Sequence, residues 1–372
     1  MIRNYATKIQ KKTNNTSLFK YFSYLCTNYS NMDNYQILFA PTSGTFTERL
    51  SQLHSNIESF LSDEKQAGRH LQYTKVFLSD AANQEQELMQ SALMRDQLQQ
   101  AAVTIIQQPP VGGAKIALLV KTSNEADEFL FHAIRLTDEE AAHQSSYVQT
   151  IMLFDKYIEA TRKLGIELKT HCVRTWLYVR DIDANYSGVV RARNDIFRQH
   201  GLTIDTHFIA STGIGGRTGA RNVFVAMDFL TYPSIKEEQK TYLQALDHLN
   251  PTHEYGVAFE RATRLSFPSG KQQLLISGTA SIDHHGEVVH VGDVKMQTRR
   301  LLENIGALLH NGGATMQDVK YFVVYLRDLA DAHDVETILN ELHPDKPHIL
   351  TLAEVCRPKW LVEMECIAER YE

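Results

Sequence analysis

Tyr178-Val-Arg-Asp-Ile182 and Tyr325-Leu-Arg-Asp-Leu329 are nearly the same phrase, and their surroundings repeat too. Each follows a Gln-Thr that opens an amphipathic stretch. Gln149-Thr150 lies 32 residues before Asp181, and Gln297-Thr298 lies 31 before Asp328. A weaker third copy, Phe77-Leu-Ser-Asp-Ala81, follows the helical pattern at 46–62. Self-similarity on this scale marks a repeated structural unit. In the last copy, residues 296–310 carry Leu301, Ile305, Leu308 and Leu309 on one helical face. Tyr321-Phe-Val-Val-Tyr-Leu326 reads as a strand because it is β-branched and aromatic. A second helix and strands at 348–355 and 361–367 complete the copy. It opens with a hairpin, 273–282 and 287–290, turning at Asp283-His-His-Gly286.

One such unit is a sheet covered on one face by two helices, an α+β sandwich. Its open face must also be buried, so three units in one chain are expected to close on each other as an intrachain pseudo-trimer. The expected bounds are 33–123 for a degenerate first repeat, 124–250 for the middle one and 251–372 for the last.

The 372 residues are 43% hydrophobic and 22% charged, an ordinary globular composition. No run of about 18 apolar residues exists, so no transmembrane helix is expected. Cys26, Cys172, Cys356 and Cys366 are widely spaced, which fits a reducing, cytoplasmic setting rather than a disulfide scaffold. Residues 1–32 hold Arg3, Lys8, Lys11, Lys12 and Lys20 and no acid. Without those five, 33 basic residues face 44 acidic ones, a net of −11. So acidic a body disfavours nucleic acid as a partner. The leader lacks a secretory apolar run. It reads as a disordered upstream extension before Met32, the alternative being a transit peptide.

Comparing the copies separates what the fold requires from what it does not. Alternation puts Arg174, Trp176, Tyr178 and Arg180 on one strand face. The last copy holds Tyr321, Val323, Tyr325 and Arg327 there, so Arg174 and Trp176 are particular to the middle copy. An arginine on such a face needs an anion, either an internal carboxylate or a bound substrate. In the final strands, Val362-Glu-Met-Glu365 matches Val225-Ala-Met-Asp228. Glu365 and Asp228 correspond, which points to a shared structural role. Glu363 matches Ala226, so the fold does not need it. Two carboxylates on one face raise each other's pKa, which suits Glu363 to general-acid work; the alternative is an ion pair with an arginine. The stretch Ala210-Ser-Thr-Gly-Ile-Gly-Gly-Arg-Thr-Gly219 reads as a glycine-rich loop. Gly213 and Gly215 would let backbone N–H groups approach a carboxylate, or would simply make a flexible turn. No phosphate loop, nucleophile elbow or metal-spaced His/Cys pair is present.

The last ~115 residues resemble the Rid/YjgF family through Leu275-Ile-Ser-Gly-Thr-Ala-Ser281, Gly292-Asp293, Gln297-Thr298, Asn304, Val324-Tyr-Leu-Arg-Asp-Leu329 and Val362-Glu-Met-Glu-Cys-Ile-Ala368. That resemblance implies the chorismate-mutase-like fold, with sites at contacts between units. The chain is closer to the chorismatase subgroup over roughly residues 125–372. Arg174-Thr-Trp176, Ser211-Thr-Gly-Ile-Gly215, Phe259-Glu-Arg-Ala262 and Cys356-Arg-Pro358 followed by Glu363 carry that likeness. It implies an enzyme that splits the enolpyruvyl ether of chorismate to pyruvate. The second product is a hydroxybenzoate or a dihydroxycyclohexadiene carboxylate, and no cofactor is needed. Chorismate is a dicarboxylate, so Arg174, Arg193, Arg261 and Arg357 are the expected cations, with Tyr178 for a hydroxyl or carboxylate. Glu363 is the expected acid. Cys356 resembles the hydroxybenzoate-forming members. The Rid imine deaminases carry an arginine at the start of the penultimate strand, whereas His348-Ile-Leu-Thr351 has none. A Rid-type deaminase and a non-catalytic binding protein are the rival readings. No metal, membrane or nucleic-acid partner is expected, and the chain is expected to be a monomeric pseudo-trimer or a weak oligomer.

Overall fold

A computed structural model describes residues 33–124 and 129–371. The leader, read as disordered from sequence, lies outside the described residues. The first unit runs β1 (Asn34–Phe39), α1 (Phe46–Gln66), β2 (His70–Leu78), α2 (Ala81–Gln90), β3 (Ala102–Gln107) and β4 (Ile116–Ser123). Its sheet order is β1-β4-β2-β3. The second runs β5 (Leu130–Ile134), α3 (Ser146–Arg162), β6 (Cys172–Val179), α4 (Ile182–Gln199), β7 (Ala210–Gly215) and β8 (Val225–Thr231), in the order β5-β8-β6-β7. The third has β9 (Lys240–Leu243), β10 (Ala262–Ser266), β11 (Lys271–Ala280), α5 (Val294–Asn311), β12 (Val319–Leu326), α6 (Ala332–Leu342), β13 (His348–Leu352) and β14 (Val362–Tyr371). Its order is β13-β12-β14-β11-β10-β9. The first four strands of that order repeat the pattern of the other two sheets, so the fold is three α+β sandwich units. In each unit the last two strands of the crossover, β2–β3, β6–β7 and β12–β13, pair in parallel.

Local signals explain the helices. Thr45 accepts from the Glu48 N–H while the Glu48 carboxylate accepts from the Thr45 N–H, a capping box that starts α1. Asp293 caps α5 through the Met296 N–H. Leu301, Ile305, Leu308 and Leu309 then line its buried face. Each such side chain contributes about 1.5–3 kcal/mol by leaving water.

Strand alternation sends one face to the unit's own helices and the other inward. Val76 and Leu78 join the first unit's helix-side core, whereas Phe77 joins a central cluster with Tyr178 and Tyr325. Phe77, Tyr178 and Tyr325 hold equivalent positions in β2, β6 and β12. The Lys75 ammonium sits 5.1, 5.0 and 6.0 Å from their ring centroids. Three equivalent strands therefore meet around one point, as a pseudo-trimer requires.

Three sequence expectations need adjusting. The third sheet begins with β9, ahead of the boundary placed at 251, because β9 pairs with β10. The hairpin partner of β11 is β10, through a turn at 267–270, while the anticipated return arm leaves only the bridge Ile282–Val288. Half of the glycine-rich stretch is strand β7 rather than loop. Its glycines serve closeness between units: a Cβ on Gly215 would lie 2.6 Å from the Glu354 amide nitrogen.

Candidate active site

A cleft opens where the second unit meets the third. From the second come Tyr186 and Arg193, seven residues apart and so on one face of α4, with Ser211 and Gly213 on β7. From the third come Phe259 and Arg261 ahead of β10, Gly278 and Ala280 on β11, and Ile282. Cys356, Arg357 and Trp360 lie on the β13–β14 connection, and Glu363 on β14; Val257 completes the lining. The empty space between these residues, open mouth included, is about 520 Å³.

Glu363 owes its place to a bulge. The register of β11 on β14 shifts between Ile276 and Thr279, leaving Ser277 and Gly278 out of the ladder. A Cβ on Gly278 would run into the Glu363 carboxylate, which would have to move aside. Glu363 is buried, and its carboxyl is pushed up to about 8. Burial is the first cause and the neighbouring Glu365 the second, with Arg174 and Arg261 opposing. It therefore holds a proton near neutral pH.

Glu365 behaves oppositely. Burial alone would raise it, but Arg174, Lys75, Thr212 and Trp176 together hold it below the usual carboxylate range. Arg174 Nη2 donates to Glu365 at 2.9 Å and to Thr212 Oγ1 at 2.6 Å, and its Nη1 donates to Ser277 Oγ at 3.0 Å. Trp176 Nε1 donates to Glu365 at 2.9 Å, and Thr212 donates to the same carboxylate. Two adjacent carboxyls are thus split into one acid and one anion.

The cations are arranged around Glu363. Arg193 and Arg261 lie over Phe259, with guanidinium carbons 5.9 and 5.4 Å from its centroid. Arg261 also donates to the Asn250 carbonyl at 2.9 Å, which fixes its orientation. Arg357 lies over Trp360 at 5.4 Å. Burial, then Glu363, drives the Cys356 thiol upward, so it stays a thiol.

Of the residues singled out from sequence, Glu363, Cys356, Arg193, Gly213, Arg261 and Arg357 meet in this cleft. Three others do not line it. Arg174 takes the internal-carboxylate option, held by Glu365. Tyr178 donates to Asp228 at 2.9 Å. Gly215 donates its N–H to the Glu354 carbonyl at 2.8 Å. Tyr186 was not foreseen; a Cβ on Gly213 would touch its ring at 2.9 Å. Nor were Phe259 and Trp360 foreseen as lining residues, because an aromatic residue in sequence looks the same whether it fills a core or walls a cavity.

The Endoribonuclease L-PSP family profile matches residues 262–370. A 3-aminoacrylate deaminase RutC of Acinetobacter baylyi is 34% identical over 95 residues, 25% of this chain and 75% of that protein. A RutC family protein of Pyrococcus abyssi is 40% identical over 98 residues, 26% of this chain and 76% of its own. The chain belongs to the Rid family. Beyond that domain, a 3-hydroxybenzoate synthase of Streptomyces hygroscopicus is 28% identical over 238 residues, 56% of this chain and 69% of that protein. A chorismatase crystal structure superposes with a TM-score of 0.64 at 20% identity, covering 91% of this chain and 98% of that one. The chain therefore has the chorismatase fold, of which the Rid domain is the last third. Among the described residues no helix is long and apolar enough to cross a membrane.

Proposed function

We propose that this protein cleaves the enolpyruvyl ether of chorismate, with Glu363 as general acid. The observation that carries this reading is a buried carboxyl pushed up to about 8 in a cleft that also holds three arginines. An enol ether breaks after protonation of its methylene carbon, which needs an acid still protonated near neutral pH. Arg193, Arg261 and Arg357 supply forks for the two substrate carboxylates. Protonation makes the attached carbon electrophilic: water adding there and expelling the ring alcohol gives pyruvate and the diene diol, whereas breaking the ring C–O bond lets pyruvate leave with the ether oxygen, and loss of a ring proton, after hydroxyl migration for the 3-isomer, gives the hydroxybenzoate. Rearrangement to a hydroxybenzoate consumes no water; release of the diene diol consumes one. The likeness to a 3-hydroxybenzoate synthase supports the first outcome, as does Cys356, whose neutral thiol walls the cavity without adding charge or a strongly held water. The site chemistry asks for no cofactor.

A Rid-type deaminase would hold its substrate carboxylate from the penultimate strand, and β13 here, His348-Ile-Leu-Thr-Leu352, carries no arginine. Incubation of the purified protein with chorismate, following pyruvate, tests the reading. Glu363→Gln is expected to lower turnover by about a hundred- to ten-thousandfold while leaving the fold intact. Absence of pyruvate from the wild type, or full activity in the variant, overturns it. Chromatography of the ring product assigns it as 3-hydroxybenzoate, 4-hydroxybenzoate or the diol.

A further inference from the structure

The Gln-Thr pairs that announce the second and third repeats have a job that singles out one cleft residue. Gln297 Nε2 donates to the Lys359 carbonyl at 2.9 Å, and its Oε1 accepts from the Leu361 N–H at 2.9 Å. One amide thus clamps the chain on both sides of Trp360. Gln149 does the same in the second unit, donating to the Asn222 carbonyl at 2.9 Å and accepting from the Phe224 N–H at 2.7 Å. The residue so clamped is Val223, buried in its own unit's core. Val223 and Trp360 are structural equivalents, so the fold asks for an apolar side chain here and not for an indole.

Trp360 is 93% buried, 7% of it being exposed, and it lines the cleft. Its indole Nε1 has no hydrogen-bond acceptor among the described residues. A buried donor without an acceptor is costly and uncommon, and the equivalent valine avoids that cost. Val257, Ala280 and Ile282 add apolar lining to the same cleft, and Arg357 covers one face of the indole at 5.4 Å, leaving the edge N–H as its neutral donor. Such a donor suits a neutral acceptor. If the arginines take the two carboxylates, the ring hydroxyl and the enol-ether oxygen are the substrate's remaining polar groups, and the hydroxyl is the stronger acceptor because the ether lone pair is conjugated with the double bond.

We propose that Trp360 is a substrate-recognition residue whose indole N–H donates to the ring hydroxyl of the substrate. The proposal rests on the reading of chorismate as substrate. It predicts selectivity, because a site built around such a donor rejects analogues that cannot accept from it. In 4-amino-4-deoxychorismate the hydroxyl is replaced by an ammonium, which is donor only.

Trp360→Phe keeps an aromatic filler and deletes the donor, and Trp360→Val installs the residue of the equivalent position. The test measures kcat and KM for pyruvate release from chorismate and from the amino analogue, with a thermal melt for each protein. In Trp360→Phe, KM for chorismate should rise about tenfold, with kcat within about threefold. The preference for chorismate over the analogue should shrink by a similar factor in both variants. The melting temperature of Trp360→Phe should not fall, since no protein hydrogen bond is lost. Unchanged KM and unchanged selectivity overturn the assignment, as does a fall in kcat alone. A wild type that turns over neither compound removes the substrate reading itself, and the proposal with it.

Discussion

Two junctions between units are built on one plan and have opposite chemistry. Where the first unit meets the second, Thr104 of β3 donates to Asp228 of β8 at 2.8 Å. Where the second meets the third, Thr212 of β7 donates to Glu365 of β14. Asp228 and Glu365 hold equivalent places, opposite Lys-equivalent strand positions Trp176 and Val323 respectively. Each carboxylate is neutralised by an arginine: Arg135 at 2.9 Å for Asp228 and Arg174 at 2.9 Å for Glu365. Two residues earlier the plan divides, with Ala226 at the first junction and Glu363 at the second. The β5–β8 ladder runs without a register shift, whereas β11 bulges at Ser277-Gly278 and opens space for that extra carboxyl. The third junction has dropped the motif, with Leu119 in the carboxylate's place. The lesson is that a carboxylate paired with an arginine is common to two of the three junctions, and that what distinguishes the cleft is a second carboxyl, Glu363, held protonated beside it.

The comparison can be broken most severely at Gly278. Gly278→Ala places a methyl where the Glu363 oxygen lies, so pyruvate release should fall at least a hundredfold. The matching change at Ala133, on the unbulged strand β5, is already the side chain that alanine would supply. Assaying Gly278→Ala beside the wild type checks this, with circular dichroism to confirm folding.

Glu365→Gln comes next. Removing one partner of a buried pair costs about 3–5 kcal/mol, read as a loss in denaturant stability. It also removes the negative neighbour that raises Glu363 and leaves Arg174 unneutralised, which lowers Glu363 further. The high-pH limb of kcat/KM, set near 8 in the wild type, should therefore move to lower pH.

Stability against pH gives a third handle. The Glu363 carboxyl is raised on folding from 4.5 to about 8, so the native state binds the extra proton between those values. Wild-type stability should then decline as pH rises through that window, relative to Glu363→Gln, which has no such proton. Urea melts of both proteins across that range check the sign; a wild type that gains stability relative to the variant as pH rises would contradict it.

The smallest expected effect is also a sharp one. Thr104→Val and Thr212→Val each delete one buried hydrogen bond to a carboxylate and should cost about 1.5–3 kcal/mol. Only Thr212→Val should alter the pH dependence of turnover, because only its carboxylate has an acid beside it.

Much of this was legible in the chain. The repeated phrases define three units, and the mismatch of Glu363 with Ala226 singles out the candidate acid without any coordinates. The arginines on connecting segments and on α4 are legible too, since charged groups near a suspected cleft are few. Arg174 misleads because its partner, Glu365, lies 191 residues away in another unit, and spacing says nothing about which units face each other. The bulge at Gly278 leaves no periodic trace, so the room it makes cannot be seen in advance. Tyr186 sits on an amphipathic helix where a core tyrosine would look identical. The alignment of Val362 with Val225 already sets Trp360 opposite Val223, two residues upstream in each copy, but only the two glutamine clamps show that the backbone holds both residues in the same way.

Lys75 carries a last consequence. In a ring of three identical chains, every substitution is made in triplicate, and a lysine at this place would bring three ammonium groups together at the axis. At ~5 Å each pair would repel by about 3 kcal/mol at an effective dielectric of ~20. Here Trp176 and Val323 hold the other two places, and a single ammonium rests among three rings. Joining the units in one chain thus frees each position to be edited alone, and a lysine at this crowded meeting point needs to appear only once.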